Sequence, residues 1–369
     1  MKRILGFAVF ILIYTAIAFY ISWNGWVWLH TVFGFQNQWL FAFLSGLLFF
    51  SYLIGQSSKR LSLFRMIGSY WFAVLQYALL ILPIANISVW LLQISGVRSE
   101  DAITWVGFIV FIIFIFLFLY GSYNAYSPVV RTYKVQLNEQ IKHFDSLTIA
   151  MASDMHFGHL SGLAHARRLV KEINHLQPDL ILLPGDIIDD DPAAFIRKNM
   201  GDVLKELSAP LGIYGVLGNH EYYGGAIPQF IKEMERVGIR ILQDEVLSIK
   251  DSFHLVGRKD KTDKQRKSIL ELTNDLNKDM PIIMMDHQPA EIKKAEEHGV
   301  DILLSGHTHR GQMAPNHLIT RRIFDLDWGY RQFGKLHAIV SSGYGFWGPP
   351  IRIGSRSEVI KIEVSTNNH

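Results

Sequence analysis

The sequence predicts an α/β domain preceded by a four-helix transmembrane region. Three observations lead there. The first third of the chain is apolar and almost free of charge. Beyond residue 146, apolar runs of strand length alternate with amphipathic segments, the pattern of an α/β domain. Short polar motifs follow those runs, at the strand ends where such folds gather a site.

Charge separates the two parts. The 369 residues are 49% hydrophobic and contain no cysteine, so the chain forms no disulfide. Residues 1–126 hold eight charged side chains: Lys2, Arg3, Lys59, Arg60, Arg65, Arg98, Glu100 and Asp101. Taking those from the totals of 36 basic and 33 acidic groups leaves the rest with 30 and 31, a net −1. The pI of about 8.8 therefore reflects the apolar part and not a basic face, and no nucleic-acid partner is expected.

Apolar stretches run over residues 4–22, 37–55, 67–94 and 103–121. A spanning helix needs about 20 apolar residues, and each stretch meets that length. The first is too long for a signal-peptide core and has no small-residue cleavage site before the next. Trp23, Trp26, Trp28 and Trp39 lie near the ends of the first two spans, where aromatic rings favour the membrane interface. Lys2 and Arg3 precede span one; Lys59, Arg60 and Arg65 separate spans two and three; Arg131 and Lys134 follow span four. The other two loops hold only Arg98, so both termini and the polar domain are expected in the cytoplasm. No charge lies inside a span, which argues against an ion pathway. Pro83 and Asn86 in span three read as helix packing. The expected organisation is a membrane region at 1–126, a connector at 127–145 and a folded domain at 146–369.

In that domain, runs at 147–152, 180–184, 212–217, 253–257, 281–285, 301–304, 337–341 and 358–364 read as strands. Leu163, Leu169, Val170, Ile173 and Leu176 line one helical face; Phe230, Ile231, Met234 and Val237 line another. Pro289 opens a further helix that Gly299 closes. Lys259 to Lys267 reads as a solvated charged loop.

The polar motifs carry the chemistry. Asp154 and His156 follow the first run; residues two apart in extended backbone face one side, so carboxylate and imidazole can converge on a cation. Gly185-Asp186 ends the next run, and a carboxylate has two oxygens with which to bridge. Asp189 reads as a group that supports a ligand from behind or fixes the loop. Gly218-Asn219-His220-Glu221 offers a neutral amide oxygen, a histidine free for another task, and a carboxylate to fix that histidine's tautomer. His287 ends a fifth run. Gly306-His307-Thr308-His309 places two imidazoles two residues apart after a sixth. Each motif alone has an ordinary reading as a turn or polar surface; the conjunction points to metal. The remaining histidines, His159 and His317 among them, are given no metal role.

These residues resemble the calcineurin-like metallophosphoesterases, whose pattern D-x-H, G-D-x-x-D, G-N-H-[DE], H and G-H-x-H stands complete and in order over roughly 147–364. The tail from Gly343 to Arg352, with Glu358, is similar to a membrane-associated bacterial subgroup, some of whose members hydrolyse UDP-2,3-diacylglucosamine. The resemblance implies a four-layer α/β/β/α metallophosphoesterase sandwich. It implies two divalent metal ions, manganese by family habit with iron or zinc as alternatives. Asp154, His156, Asp186 and His309 would hold one, and Asp186, Asn219, His287 and His307 the other. His220, backed by Glu221, would face the phosphate as the catalytic pair.

A cation-bound water, with a pKa near 7 instead of about 15.7, would furnish the hydroxide for in-line attack on phosphorus. Protonated His220 would assist the leaving alkoxide. The function expected is a membrane-bound phosphoesterase for an amphiphilic or lipid-linked phosphoester or pyrophosphate, with Phe346 and Trp347 giving an apolar patch near the site. Two alternatives remain open: a phosphodiesterase for soluble nucleotides tethered by its spans, and a non-catalytic membrane scaffold or sensor.

Overall fold

A computed structural model describes residues 2–57, 61–137 and 141–366. Lys59 and Arg60, on which part of the expected orientation rests, lie outside the described residues. The chain divides into two compact units, Met1–Gly121 with Gly348–Ile351 and Ser122–Trp347 with Arg352–His369.

The first unit is built from long apolar helices, α1 (Lys2–Phe33), α2 (Gln38–Ser57), α3 (Ser62–Ile94) and α4 (Ser99–Tyr126), the last turn of α4 falling in the second unit. Among the described residues these give four candidate membrane spans: Ala8–Phe33, Gln38–Gly55, Leu63–Ile94 and Ser99–Tyr126. Helix α1 runs well past the span end expected at residue 22. The aromatic segment after it stays helical, Asn24 donating to the Tyr20 carbonyl at 2.9 Å, until Gly34 at φ 62° ends the helix. Asn86 donates to the Tyr20 hydroxyl at 2.9 Å, a polar contact between α3 and α1 where lipid would leave both groups unpaired. Trp28 packs edge-on to Phe108 with centroids 5.3 Å apart.

The second unit follows in chain order: β1 (Val129–Leu137), β2 (Ser146–Met151), α5 (Leu163–His175), β3 (Leu180–Pro184), α6 (Pro192–Arg197), α7 (Met200–Leu204), β4 (Ile213–Val216), α8 (Asn219–Gly224), α9 (Ile227–Arg236), β5 (Ile239–Leu242), β6 (Glu245–Ile249) and β7 (Phe253–Gly257). Next come α10 (Ile269–Thr273), β8 (Ile282–Met285), α11 (Ile292–Glu297), β9 (Ile302–Ser305), α12 (His317–Ile323), β10 (Gly329–Phe333), β11 (Leu336–Val340) and β12 (Glu358–Thr366). A 3₁₀ turn at His309–Gly311 precedes α12.

Among the described residues the strands form two mixed six-stranded sheets, ordered β1-β12-β2-β3-β4-β5 and β10-β11-β9-β8-β7-β6. In the first, β2, β3, β4 and β5 are mutually parallel; in the second, β7, β8, β9 and β11 are. Leu147, Ile149 and Met151 of β2 face the core between the sheets, with Leu180 and Leu182 of β3 beside them and Ile283, Met285, Ile302 and Leu304 from the second sheet opposite. The alternate residues Ala150, Ile181 and Leu183 face α5, α7 and α9. Val256, Ile282, Met284 and Leu303 face α10 and α11. The layers are α/β/β/α. Burial on both faces is why these strands read as continuous apolar runs. Each fully buried aliphatic side chain contributes roughly 1.5–3 kcal/mol.

Two expectations need correction. The connector expected over 127–145 contains β1, paired in parallel with β12; Val135 and Leu137 face the core while Arg131 and Lys134 on the strand conceal its pattern. The loop at 259–267 is not simply solvated. Asp260 is fully buried and accepts from Gln288 at 2.9 and 3.0 Å. Arg258, also buried, and Arg266 clamp Asp286 and Glu291, so the loop's charges hold it against the end of β8.

Candidate metal centre

Parallel strands of each sheet deliver their motifs at their carboxyl ends. Asp154 and His156 follow β2, Asp186 follows β3, and Asn219 and His220 open α8 after β4. From the second sheet, His287 follows β8, and His307 and His309 follow β9. Asp154, Asp186, Asn219, His287 and His309 are buried, as is His156. Five of these residues have left-handed backbone: Asp154 (φ 52°), His156 (φ 45°), Asp186 (φ 51°), His307 (φ 70°) and His309 (φ 48°). Such conformations carry strain in non-glycine residues and gather where a structure serves a function. Two glycines make room for the carboxylates. A Cβ on Gly218 would collide with the Asp186 carboxylate, and one on Gly306 with that of Asp154.

The side chains fall into two clusters, each with potential ligand atoms within 4.8 Å of one another: Asp154, His156 and His309; and Asp186, His287 and His307. In the first, the Nε2 atoms of His156 and His309 lie 3.0 Å apart, and His309 Nε2 is 3.5 Å from Asp154 Oδ1. In the second, Asn219 Oδ1 is 3.2 Å from His287 Nε2 and 2.8 Å from His307 Nδ1. Asp186 Oδ2 lies between them, 3.1 Å from His287 Nε2 and 3.9 Å from His156 Nε2. His287 Nδ1 lies 2.8 Å from the Pro184 carbonyl, which accepts its proton and leaves Nε2 turned inward.

The electrostatics fit divalent cations. Burial pushes the Asp154 carboxyl up to about 6, against His287 and with Asp186. Burial would raise Asp186 as well, but His287 holds it well below the usual carboxylate range. Burial pushes His156 down to about 3, His307 to about 4, and His309 well below its ordinary value. These imidazoles are therefore neutral, the form that ligates metal. His287 goes the other way: burial lowers it, yet Asp186, Asp154 and Asp260 raise it well above the usual range. A buried centre that draws a proton onto an imidazole in this way favours positive charge, and oxygen and imidazole donors without sulfur suit hard or borderline divalent ions. The buried clusters are consistent with a dinuclear site.

His220 sits at the edge of both clusters, its ring centroid 4.6 Å from that of His156. Glu221 is not its partner, and that expectation is corrected. The Glu221 carboxylate is buried and accepts the backbone N–H groups of Gly218 (2.7 Å), Asp186 (3.1 Å) and Ile188 (3.0 Å). At the third position of α8 it turns back along the capping-box path, which takes it away from the imidazole beside it. Burial and Asp186 push its carboxyl up to about 8, while the N–H donors pull it down.

The partner is Asp190, whose Oδ1 is 2.7 Å from His220 Nδ1; Asp189 Oδ1 is 3.9 Å from the same atom. Burial works against the His220 imidazolium, but Asp190, Asp186 and Asp189 raise it to about 9. Nothing in the run Asp189-Asp190-Asp191 marks which carboxylate reaches His220, so the sequence does not single out Asp190. Arg352 closes the tail segment that begins at Gly343. It is fully buried, its Nη2 3.2 Å from His309 Nδ1, and it donates to the Gly343 and Gly345 carbonyls at 3.2 and 2.6 Å. Of the expected apolar patch, Phe346 is buried. Trp347 is 61% exposed, its ring 6.4 Å from that of His220 and its N–H and carbonyl each 2.9 Å from the Gln312 carboxamide.

The profile described as "Calcineurin-like phosphoesterase" matches residues 147–311. An "uncharacterized metallophosphoesterase" of Aquifex aeolicus is 31% identical over 257 residues, covering 66% of this chain and 95% of that protein. One from Helicobacter pylori is 31% identical over 228 residues, 60% of each chain. A "transmembrane protein with metallophosphoesterase domain" of Danio rerio is 28% identical over 260 residues, 66% of this chain and 59% of that one. The chain thus spans about three fifths of the length of the last two relatives.

Proposed function

Because this chain belongs to the calcineurin-like metallophosphoesterase family, and so to the metal-dependent hydrolases, we propose that it cleaves a phosphoester or pyrophosphate of an amphiphilic, lipid-linked molecule. The observation that carries the hydrolytic reading is Asp186 shared between two buried His/Asp clusters with His220 beside them. Asp154, His156, Asp186 and His309 would hold one divalent cation, and Asp186, Asn219, His287 and His307 the other. Bound there, the pair supplies an ionised water at neutral pH and Lewis-acid stabilisation of phosphoryl oxygens.

The chain's own groups do the rest. Asp154 and Asp186 balance part of the cationic charge and leave a net attraction for a phosphate anion. His220, kept protonated by Asp190, hydrogen-bonds the phosphoryl group and delivers a proton toward the leaving alkoxide. The second half of the reading, the amphiphilic substrate, draws support from the four candidate spans and from exposed Trp347 beside His220. With it we propose that residues 1–126 are the membrane region, that the hydrolytic domain faces the cytoplasm, and that the chain falls in the membrane-associated bacterial subgroup.

The test uses the full chain in detergent, loaded in turn with manganese, iron or zinc. It is offered a lipid-linked pyrophosphate, a lipid phosphodiester and soluble nucleotides. The lipid-linked compounds should turn over fastest, and Asp186→Asn should lose about two to four orders of magnitude. Near-normal turnover by Asp186→Asn would sink the bridging role. Equal turnover of soluble nucleotides, indifferent to micelles, would favour the tethered phosphodiesterase.

A further inference from the structure

Helix α12 buries none of its residues. Leu318, Ile319 and Ile323 are 55%, 59% and 65% exposed. Elsewhere in the second unit exposed large apolar side chains are scattered singly; here three lie within six positions. At 100° per residue, Leu318, Ile319, Arg322 and Ile323 share the outward face, with exposed Arg321 at its margin. Thr320 points the other way and donates to Asp327 Oδ2 at 2.6 Å. The outward face of α12 is thus apolar and rimmed by arginines, while Thr320 on the other side hydrogen-bonds into the domain. It is the composition of a segment that lies in a membrane interface, aliphatic groups among the upper acyl chains and guanidinium groups at anionic headgroups.

The helix is also coupled to the metal centre. Thr308, between His307 and His309, donates to the Asp327 carbonyl at 2.5 Å. Asp327 therefore ties the G-H-x-H motif to α12 through Thr320. Phe324, the residue after the helix, has its ring 6.2 Å from that of His307.

We propose that α12 is an interfacial docking element that seats the hydrolytic domain on an anionic lipid surface beside the metal centre. The occupant is a bilayer, because the same chain carries four candidate spans that keep one within reach and because Arg321 and Arg322 match anionic headgroups. This deepens the functional reading and rests on the spans being membrane-embedded. A phosphoester headgroup would be met at the lipid surface, and its acyl chains need not leave the membrane.

The absence of cysteine makes the test clean. Ile319→Cys and Ile323→Cys in the full chain are labelled with an environment-sensitive fluorophore and reconstituted in phosphatidylcholine–phosphatidylglycerol vesicles. Asp251→Cys is the control; its turn joins β6 to the amino end of β7, at the strand ends opposite the metal centre. The labels at 319 and 323 should shift to the blue and be quenched by nitroxide-bearing lipid, while the label at 251 stays open to iodide. Paired Arg321→Glu and Arg322→Glu changes should abolish most of that lipid quenching.

Labels at 319 and 323 as open to iodide as the control would overturn the proposal, as would quenching indifferent to the charge reversals. These readouts need no turnover. A chain that floats with the vesicles but keeps α12 in water defeats docking alone. Failure to float defeats the spans, and failure to hydrolyse lipid-linked phosphoesters defeats the functional reading.

Discussion

His220 Nδ1 and Asp190 Oδ1 stand 2.7 Å apart, so the carboxylate paired with His220 comes from the loop after β3 and not from Glu221 beside it in sequence. The consequence is a separable prediction. Asp190→Asn keeps the shape of the loop but loses the charge that favours the imidazolium. Loss of such a supporting partner typically costs ten- to a hundredfold. The expected outcome is a kcat lowered by about that factor, with KM and bound metal little changed. Steady-state kinetics beside elemental analysis of the purified protein measure it; an unchanged kcat would remove Asp190 from the mechanism.

Glu221 should behave in the opposite manner. Three backbone N–H groups at the ends of β3 and β4 converge on its carboxylate. Glu221→Ala leaves them buried and unpaired, each at about 1–3 kcal/mol. We expect the variant to unfold at markedly lower temperature, with a loss of roughly 3 kcal/mol or more. Folded molecules should still pair His220 with Asp190. Thermal unfolding followed by tryptophan fluorescence tests the first point. A variant as stable as the parent would contradict the stapling role.

The difference between these two residues shows what a sequence can reveal. The eight strands expected from apolar runs are the interior strands of the two sheets and are largely buried on both faces, so most of their residues are apolar. Strands β1, β5, β6 and β10 were not expected, and they are the four sheet edges. Edge strands carry charges that block further pairing, such as Arg131, Arg240, Glu245 and Arg331, and those charges erase the pattern. The ligand-type residues were legible because each follows a buried strand. The choice of Asp190 over Asp189 or Glu221 was not, because it depends on which carboxylate the loop backbone aims at His220. The ionic cluster around Arg258 was hidden for the same reason: a buried charge network and a solvated loop have the same composition.

Arg258 therefore carries a prediction about stability. Its guanidinium is 4% exposed and lies 3.0 Å from Asp286 and 2.5 Å from Glu291. Arg258→Ala leaves the Asp286 carboxylate buried with only Arg266 for company, at 3.2 Å. Breaking a buried pair from one side costs about 3–5 kcal/mol. Arg240→Ala, which removes a pair with Glu245 at the surface, should cost no more than about 1 kcal/mol. Denaturation of the two variants side by side decides it, and equal losses would show that the cluster is no stronger than a surface pair.

Glu291 gives that cluster a pH dependence. Burial tends to raise its carboxyl, but Lys294, Arg258 and Arg266 hold it down at about 2 against an ordinary 4.5. A carboxylate depressed by folding binds its proton more readily in the unfolded chain. Its stabilising contribution is thus fully present above about 4.5 and is lost as pH falls from there toward 2. Glu291→Gln cannot ionise and lacks that contribution at every pH. Parent and variant should differ most near neutral pH and converge below pH 4.5, as read from paired unfolding midpoints along a pH series. A gap that stays constant down to pH 2 would mean that the arginines hold Glu291 by shape alone, without drawing on its charge.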